Sequence, residues 1–281
     1  MQNRSVVGWE AVDHILSSRK KISHKGENGK VLVVGGSKDY VGAVALAGLA
    51  ALRAGCDIVV IAAPEKAAWA INAMSPDLIT KKIDCEYFTS KNANEILRIA
   101  KDFDVVLIGN GISLRSKDFV RKIVKKIKKP LVIDADGIKS ISFKDVKNAV
   151  ITPHPKELEM LLRNSGKEKL IKIKDHKLLI RKLQDIVGNN VLLVKGRVDM
   201  IISKNNIAFN HTGNEGMTKG GTGDVLAGIC AGFLAQSKDP FKSAAAAAWI
   251  NGHVGDLLYK RKHGPIFLAS DMIEELKRLI K

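Results

Sequence analysis

Lys30-Val31-Leu32-Val33-Val34-Gly35-Gly36 is a β-branched run that stops at a pair of glycines. Periodicity alone does not separate a buried strand from a buried helix, but so short a run ending on glycine fits a strand. Gly42 to Ala54 follows, rich in Ala, Leu and Gly, with Gly55 placed as a helix C′ residue. Its small side chains predict a helix packed close to a sheet. Asp57 to Ala62 repeats the strand pattern, and Glu65 to Asn72 opens a short helix after Pro64. Further strands are expected at Asp104 to Ile108, Pro130 to Ile133 and Ala149 to Thr152, with helices between them. Strands that are apolar throughout and alternate with helices predict a parallel sheet covered on both faces.

Beyond Thr152 the pattern changes. Val191 to Val194, Met200 to Ile202 and Ile207 to Asn210 lie close together, separated by polar turns such as Ser203-Lys204-Asn205-Asn206. That spacing predicts a C-terminal β-meander on the sheet's edge. Three helices are expected after it, over Val225 to Ala235, Ser243 to Tyr259 and Ala269 to the end. No internal repeat or low-complexity linker interrupts the 281 residues, so residues 1–281 are expected to form a single α/β domain.

Hydrophobic residues make up 46% of the chain and aromatic ones only 5%, so the core must be built from Ile, Leu, Val and Ala. The formal charge is +17, from 46 Lys and Arg against 29 Asp and Glu. Such a balance invites a nucleic-acid reading. The densest basic run, Arg121 to Lys129, instead has Ile and Val at helical spacing with Lys on the other side, the pattern of an amphipathic surface helix. No aromatics interleave with the lysines to stack bases, so no nucleic-acid partner is expected. A basic field would still draw in a small polyphosphate ligand. Cys56, Cys85 and Cys230 are far apart with no CxxC, which suggests a reducing compartment and no zinc site. The N-terminus lacks an apolar signal core and no apolar run reaches about 18 residues. No membrane association is expected, and a cytoplasmic location is.

The richest motif is Asn214-Glu215-Gly216-Met217-Thr218-Lys219-Gly220-Gly221-Thr222-Gly223-Asp224, which runs straight into an apolar helix. A glycine-rich turn opening a helix presents unpaired N–H groups at the positive end of the helix dipole, a site for phosphate or a developing anion. A carboxylate there repels ground-state phosphate, so Asp224 suits a plain phosphate clamp poorly. It suits a base that takes a proton from a hydroxyl while the amides stabilise a transferring phosphoryl group. The other reading is an ordinary N-cap aspartate.

Ligands of open parallel sheets bind at the carboxyl ends of strands. Here those ends read Gly35-Gly36-Ser37, Gly109-Asn110-Gly111, Asp134-Ala135-Asp136-Gly137, Pro153-His154-Pro155-Lys156-Glu157 and Lys195-Gly196-Arg197-Val198-Asp199. Each alone could be a strand-to-helix turn; together they predict one polar edge that a ligand can approach closely. Glu157 is read either as a first-turn carboxylate facing the dipole or as a group near Mg²⁺ or its waters. Asp134 is a similar candidate, and His154 could be a cap residue.

The chain resembles the ADP/ATP-dependent NAD(P)H-hydrate dehydratase family, a branch of the ribokinase-like superfamily. The resemblance runs from Ser23-His24-Lys25-Gly26 through Val33 to Ser37, Tyr40 to Ala43, Leu52 to Gly55, Asp134-Ala135-Asp136, Thr152-Pro153-His154 and Gly220 to Gly228, closing at Leu268 to Asp271. The Gly-Thr-Gly-Asp loop is shared with related small-molecule kinases; Thr-Pro-His-x-x-Glu and the early Gly-Gly-Ser…Tyr-x-Gly-Ala are more particular to the dehydratases. The resemblance implies a ribokinase-like three-layer sandwich. It also implies a repair lyase that phosphorylates the ring hydroxyl of hydrated NADH or NADPH, using ADP or ATP with Mg²⁺, then expels phosphate. It makes Asp224 the base, and Gly221, Thr222 and Gly223 the anion hole. It sets Ala43, Gly111, His154 and Asp224 against the damaged dinucleotide. Lys195, Gly196, Arg197, Val198, Asp199 and Gly223 would hold the adenine nucleotide, and Glu157 would organise Mg²⁺.

His154 stands where the superfamily's kinases have Asn, whereas Lys156 replaces a frequent Gly and Arg197-Val198-Asp199 is only loosely typical. Many relatives carry an N-terminal epimerase domain, so a separate epimerase is expected in the same pathway. A homo-oligomer, as a tetramer, is also implied. The competing readings are a superfamily kinase for a vitamin precursor or sugar, and a nucleotide-sensing or nucleic-acid-binding protein without catalysis.

Overall fold

Val31 and Val33 pack on one face of a sheet and Leu32 and Val34 on the other, in a computed structural model that describes residues 4–17, 19 and 22–279. The same alternation holds for Val105 and Leu107 against Val106 and Ile108, so each central strand feeds two apolar layers. In chain order the elements begin with β1 (Arg4–Val6), α1 (Trp9–Leu16), β2 (Lys30–Val34), α2 (Gly42–Arg53), β3 (Ile58–Pro64), α3 (Glu65–Met74) and β4 (Ile79–Ile83). They continue with α4 (Ala93–Ile99), β5 (Val105–Ile108), α5 (Lys117–Lys126), β6 (Leu131–Ile133), α6 (Asp136–Ser140), β7 (Ala149–Ile151) and α7 (Pro155–Asn164). The last group is α8 (His176–Val187), β8 (Val191–Val194), β9 (Asp199–Ile202), β10 (Ile207–Asn210), α9 (Thr222–Ser237), α10 (Pro240–Arg261) and α11 (Ala269–Leu279).

The strands form one ten-stranded sheet in the order β1-β10-β9-β8-β7-β6-β5-β2-β3-β4. Every pair from β4 across to β8 is parallel. β9 runs antiparallel to both β8 and β10, which gives the expected meander. The meander is not the outermost element, however: β1 pairs parallel to β10 beyond it. Helices α1, α2, α3, α9, α10 and α11 cover one face, and α4, α5, α6, α7 and α8 the other, so the three-layer expectation holds.

Several boundaries differ from the sequence reading. The basic helix covers Lys117–Lys126, and Ile127 is already extended, so it starts earlier and ends sooner than the lysine run. α9 and α10 extend the expected helices at both ends, α10 because Asp239 caps it through the N–H groups of Phe241 and Lys242 at 3.0 Å. The predicted strand at Asp57 begins one residue later, since the Asp57 carboxylate accepts the N–H groups of Gly26 and Asn28 at 2.8 and 3.1 Å. Positions 280 and 281 of the last expected helix lie outside the described residues.

What positions the site is the reversal of strand order. From β2 the chain winds outward through β3 and β4, then returns to add β5 on the opposite side. A crevice therefore opens between the carboxyl ends of β2 and β5. α9 packs over β2, β5 and β6, which brings its N-terminus to that crevice. It lies close against α2: a Cβ on Gly228 would sit 2.2 Å from the Ala47 carbonyl oxygen.

Candidate active site

Gly221 caps α9 with φ +96°, a left-handed conformation that glycine adopts without a Cβ penalty. The first backbone bond of the helix runs from the Val225 N–H to the Gly221 carbonyl at 3.0 Å. The amides of Gly221, Thr222 and Gly223 precede it and have no intrahelical acceptor. Thr222 fixes the turn by donating its hydroxyl to the carbonyls of Met217 and Lys219, at 2.7 and 3.0 Å. Sixteen residues of helix stand behind these amides, so the dipole adds partial positive charge where they point.

Asp224 sits one residue further on, half-buried. Burial pushes its carboxyl up to about 7; the Asn110 amide and Lys195 oppose that shift, while the charges of Asp134 and Glu157 add to it. Asn110 donates from one nitrogen to two acids, to Asp224 Oδ1 at 2.6 Å and to Asp134 Oδ2 at 2.9 Å. Asp134 Oδ1 in turn accepts from Thr152 Oγ1 at 2.7 Å and from Lys195 Nζ at 3.0 Å. Lys195 also lies 3.8 Å from Glu157 Oε2. Burial acts to lower the Lys195 ammonium, but the Asp134 and Glu157 charges outweigh it and hold it above its ordinary value. Its Nζ is 3.5 Å from where a Cβ on Gly223 would lie, beside the free amides.

At α7 the capping reading of His154 and Glu157 is realised. His154 Nδ1 accepts the Glu157 N–H at 3.4 Å, and Glu157 Oε2 accepts the His154 N–H at 3.0 Å. Pro155 follows at the first helical position. Asp199 is tied to the Gly196 N–H at 2.9 Å and to Asn210 Nδ2 at 3.0 Å, and burial pushes its carboxyl up against those bonds.

One cavity of about 950 Å³ gathers most of the expected residues: His154, Glu157, Asp134, Lys195, Gly196, Arg197, Asp199, Gly221, Thr222, Gly223 and Asp224 all line it. Val198, Ala43 and Gly111 are not among its lining residues. Val198 belongs to the β8–β9 turn. Gly111 is packed beside Ala43 and Tyr40, since a Cβ on it would be 3.4 Å from the Ala43 Cβ and 3.1 Å from the Tyr40 Cβ. Gly111 directly follows Asn110 in the chain, at the carboxyl end of β5. Three contributors were given no role from sequence. Asn110 and Thr152 organise the acids, and Asn251 of α10 lines the cavity with its buried Oδ1 lacking a partner among the described residues. The glycines flanking Asn110 were a signal; for Asn251, mid-helix, there was none.

Residues 31–278 match the family model described as NAD(P)H-hydrate dehydratase. The chain belongs to that family. Membership favours the dehydratase reading over a kinase that stops at the phosphorylated product. The chain is 36% identical over 282 residues to the ADP-dependent (S)-NAD(P)H-hydrate dehydratase of Cenarchaeum symbiosum, covering 98% of this chain and 96% of the relative. It is 42% identical over 269 residues to the bifunctional NAD(P)H-hydrate repair enzyme of Methanothermobacter thermautotrophicus, covering 92% of this chain and 51% of the relative. The chain thus spans about half the length of the bifunctional relatives it matches. The crystal structure of the Bacillus subtilis ADP/ATP-dependent NAD(P)H-hydrate dehydratase, co-crystallized with ATP/Mg²⁺, superposes with a TM-score of 0.76 at 24% identity. That match covers 98% of this chain and 99% of the other, and shows that the two share the ribokinase-like fold. Among the described residues no helix is long and apolar enough to cross a membrane.

Proposed function

We propose that this chain returns the S form of hydrated NADH or NADPH to the reduced dinucleotide at the expense of ADP. One observation carries the reading: the Asp224 carboxyl, held by Asn110 at 2.6 Å and pushed up to about 7 by burial, stands one residue beyond three amides that precede the first backbone bond of α9. Asp224 takes the proton of the ring hydroxyl, and the freed oxygen attacks the terminal phosphoryl group of the nucleotide. The bond from that phosphorus to the leaving nucleotide oxygen breaks. Charge on the transferring group falls on the amides of Gly221, Thr222 and Gly223, with the Lys195 ammonium beside them. The carbon–oxygen bond to the new phosphate then breaks as the neighbouring ring carbon gives up a proton to water, phosphate leaves with the bonding pair, and the double bond is restored. Water leaves poorly and phosphate leaves well, which is what the nucleotide supplies.

His154, together with Ala43 and Gly111, suits contact with the damaged dinucleotide. Lys195, Gly196, Arg197, Val198 and Asp199 suit the adenine nucleotide, together with Gly223. ADP is the proposed donor because the relative of similar length is named ADP-dependent. The donor set fits Mg²⁺ only in part. No group of three or more His, Cys, Asp or Glu among the described residues could hold a metal. Both oxygens of Asp134 are already engaged, and both oxygens of Glu157 lie against His154, so Glu157 would serve the ion through water. When bound, Mg²⁺ neutralises phosphate charge. A homo-oligomer, as a tetramer, and a separate epimerase that feeds this reaction complete the reading.

Asp224→Asn keeps the shape and removes the base. Recovery of reduced-nicotinamide absorbance from hydrated NADH should fall at least about 1,000-fold, with ADP binding within about twofold of the parent. Turnover equal to the parent would remove Asp224 from the chemistry.

A further inference from the structure

We propose that Asn110 is a positioning residue for the reaction, a two-way amide clamp that aims the Asp224 carboxylate at the crevice by tying it to the buried Asp134. The inference rests on the proposal that Asp224 is the base. Asn110 is fully buried between Gly109 and Gly111 at the end of β5, so its side chain has little freedom to swing. Its nitrogen reaches Asp224 at 2.6 Å and Asp134 at 2.9 Å. Both partners are acceptors when ionised, which fixes the amide with nitrogen toward them. Its Oδ1 is left buried without a partner among the described residues. Leaving a buried acceptor unpaired costs free energy, so the site retains this arrangement at the expense of stability. Asp134 is itself held from the other side by Thr152 and Lys195, which makes it a fixed anchor.

The clamp has a consequence that simple packing would not have. Four groups face Asp224: Asn110 after β5, Asp134 after β6, Lys195 after β8 and Glu157 on α7. The two carboxylates favour its protonated form, and Asn110 and Lys195 favour the charged form. Removing the amide leaves the carboxylates opposed by Lys195 alone, so the base should both lose its aim and take up its proton more readily.

The test is steady-state kinetics of Asn110→Ala and Asn110→Leu with hydrated NADH and ADP across pH 6–9, with thermal melting to confirm folding. Expected are a kcat about 10–100-fold lower, a KM for ADP within about twofold, and a rising pH limb about one unit higher. If neither variant folds, Asn110→Ser retains a donor and should give a limb between those of the parent and the expected position. A folded Asn110→Ala with parental kcat and an unmoved limb overturns the clamp. Asp224→Asn separates the two proposals: if it stays active, the base assignment fails, and if it is inactive while Asn110→Ala is parental, only the clamp fails.

Discussion

Asp224 is ordinary in the unfolded chain and unusual in the fold. An aspartate ionises near 3.8, and burial in the crevice raises this one to about 7. A base must be ionised to act, so kcat/KM should climb through about pH 7 and level off above it. A profile flat from pH 5.5 to 8.5 would exclude titration of Asp224 from the rate. The same shift bears on stability with the opposite sense. A raised acid favours the folded state fully only below 3.8, and that contribution is lost as pH rises to about 7. Above neutrality the native site holds a charge that burial disfavours. Asp224→Asn, which keeps an acceptor for Asn110, should therefore raise Tm by about 2–4 °C at pH 8 and gain little at pH 4. A lower Tm at pH 8 would mean that the ionised carboxylate is a net stabiliser.

Helix α9 delivers the amides, and its close seat on α2 decides where they point. Gly228 allows that seat, because any Cβ there would meet the Ala47 backbone oxygen at 2.2 Å. Backbone cannot rotate aside as a side chain can, so Gly228→Ala should cost about 3 kcal/mol and lower Tm by about 6–12 °C. It should also reduce kcat, since displacing the helix moves the proposed anion hole; an unchanged melt would show that α2 and α9 slide freely. The small residues of Gly42 to Ala54 predict close packing against a sheet; their close seat on α9 is not read from them. Strands β2, β5, β6, β7 and β8 were legible, because burial on both faces leaves uninterrupted apolar runs. β4 was not, since Lys81 and Lys82 interrupt it at the sheet's edge, and β1 is only three residues long. At the site, a glycine turn entering an apolar helix exposed Asp224. Asn110 read as part of a turn, and its bonds to Asp134 and Asp224 exist only because the fold brings two acids from distant segments to it.

The net charge of +17 and the charge of the site have opposite signs. Five carboxylates line the cavity (Asp134, Glu157, Asp199, Glu215 and Asp224) against three cations (Lys195, Arg197 and Lys219). The lining is therefore net negative when Asp224 is ionised, and at close range it resists the polyanions that the proposed reaction needs. Attraction must come from the rest of the surface, at distances where dissolved salt screens it; the Debye length is about 10 Å at 0.1 M. Raising ionic strength from about 0.02 M to 0.3 M should then increase the KM for ADP several-fold while kcat stays level, because the chemistry occurs inside the crevice. If local repulsion governed binding instead, salt would lower KM. A KM that falls with salt, measured at fixed free Mg²⁺, would assign recognition to the cavity wall and leave the basic surface without a part in capture.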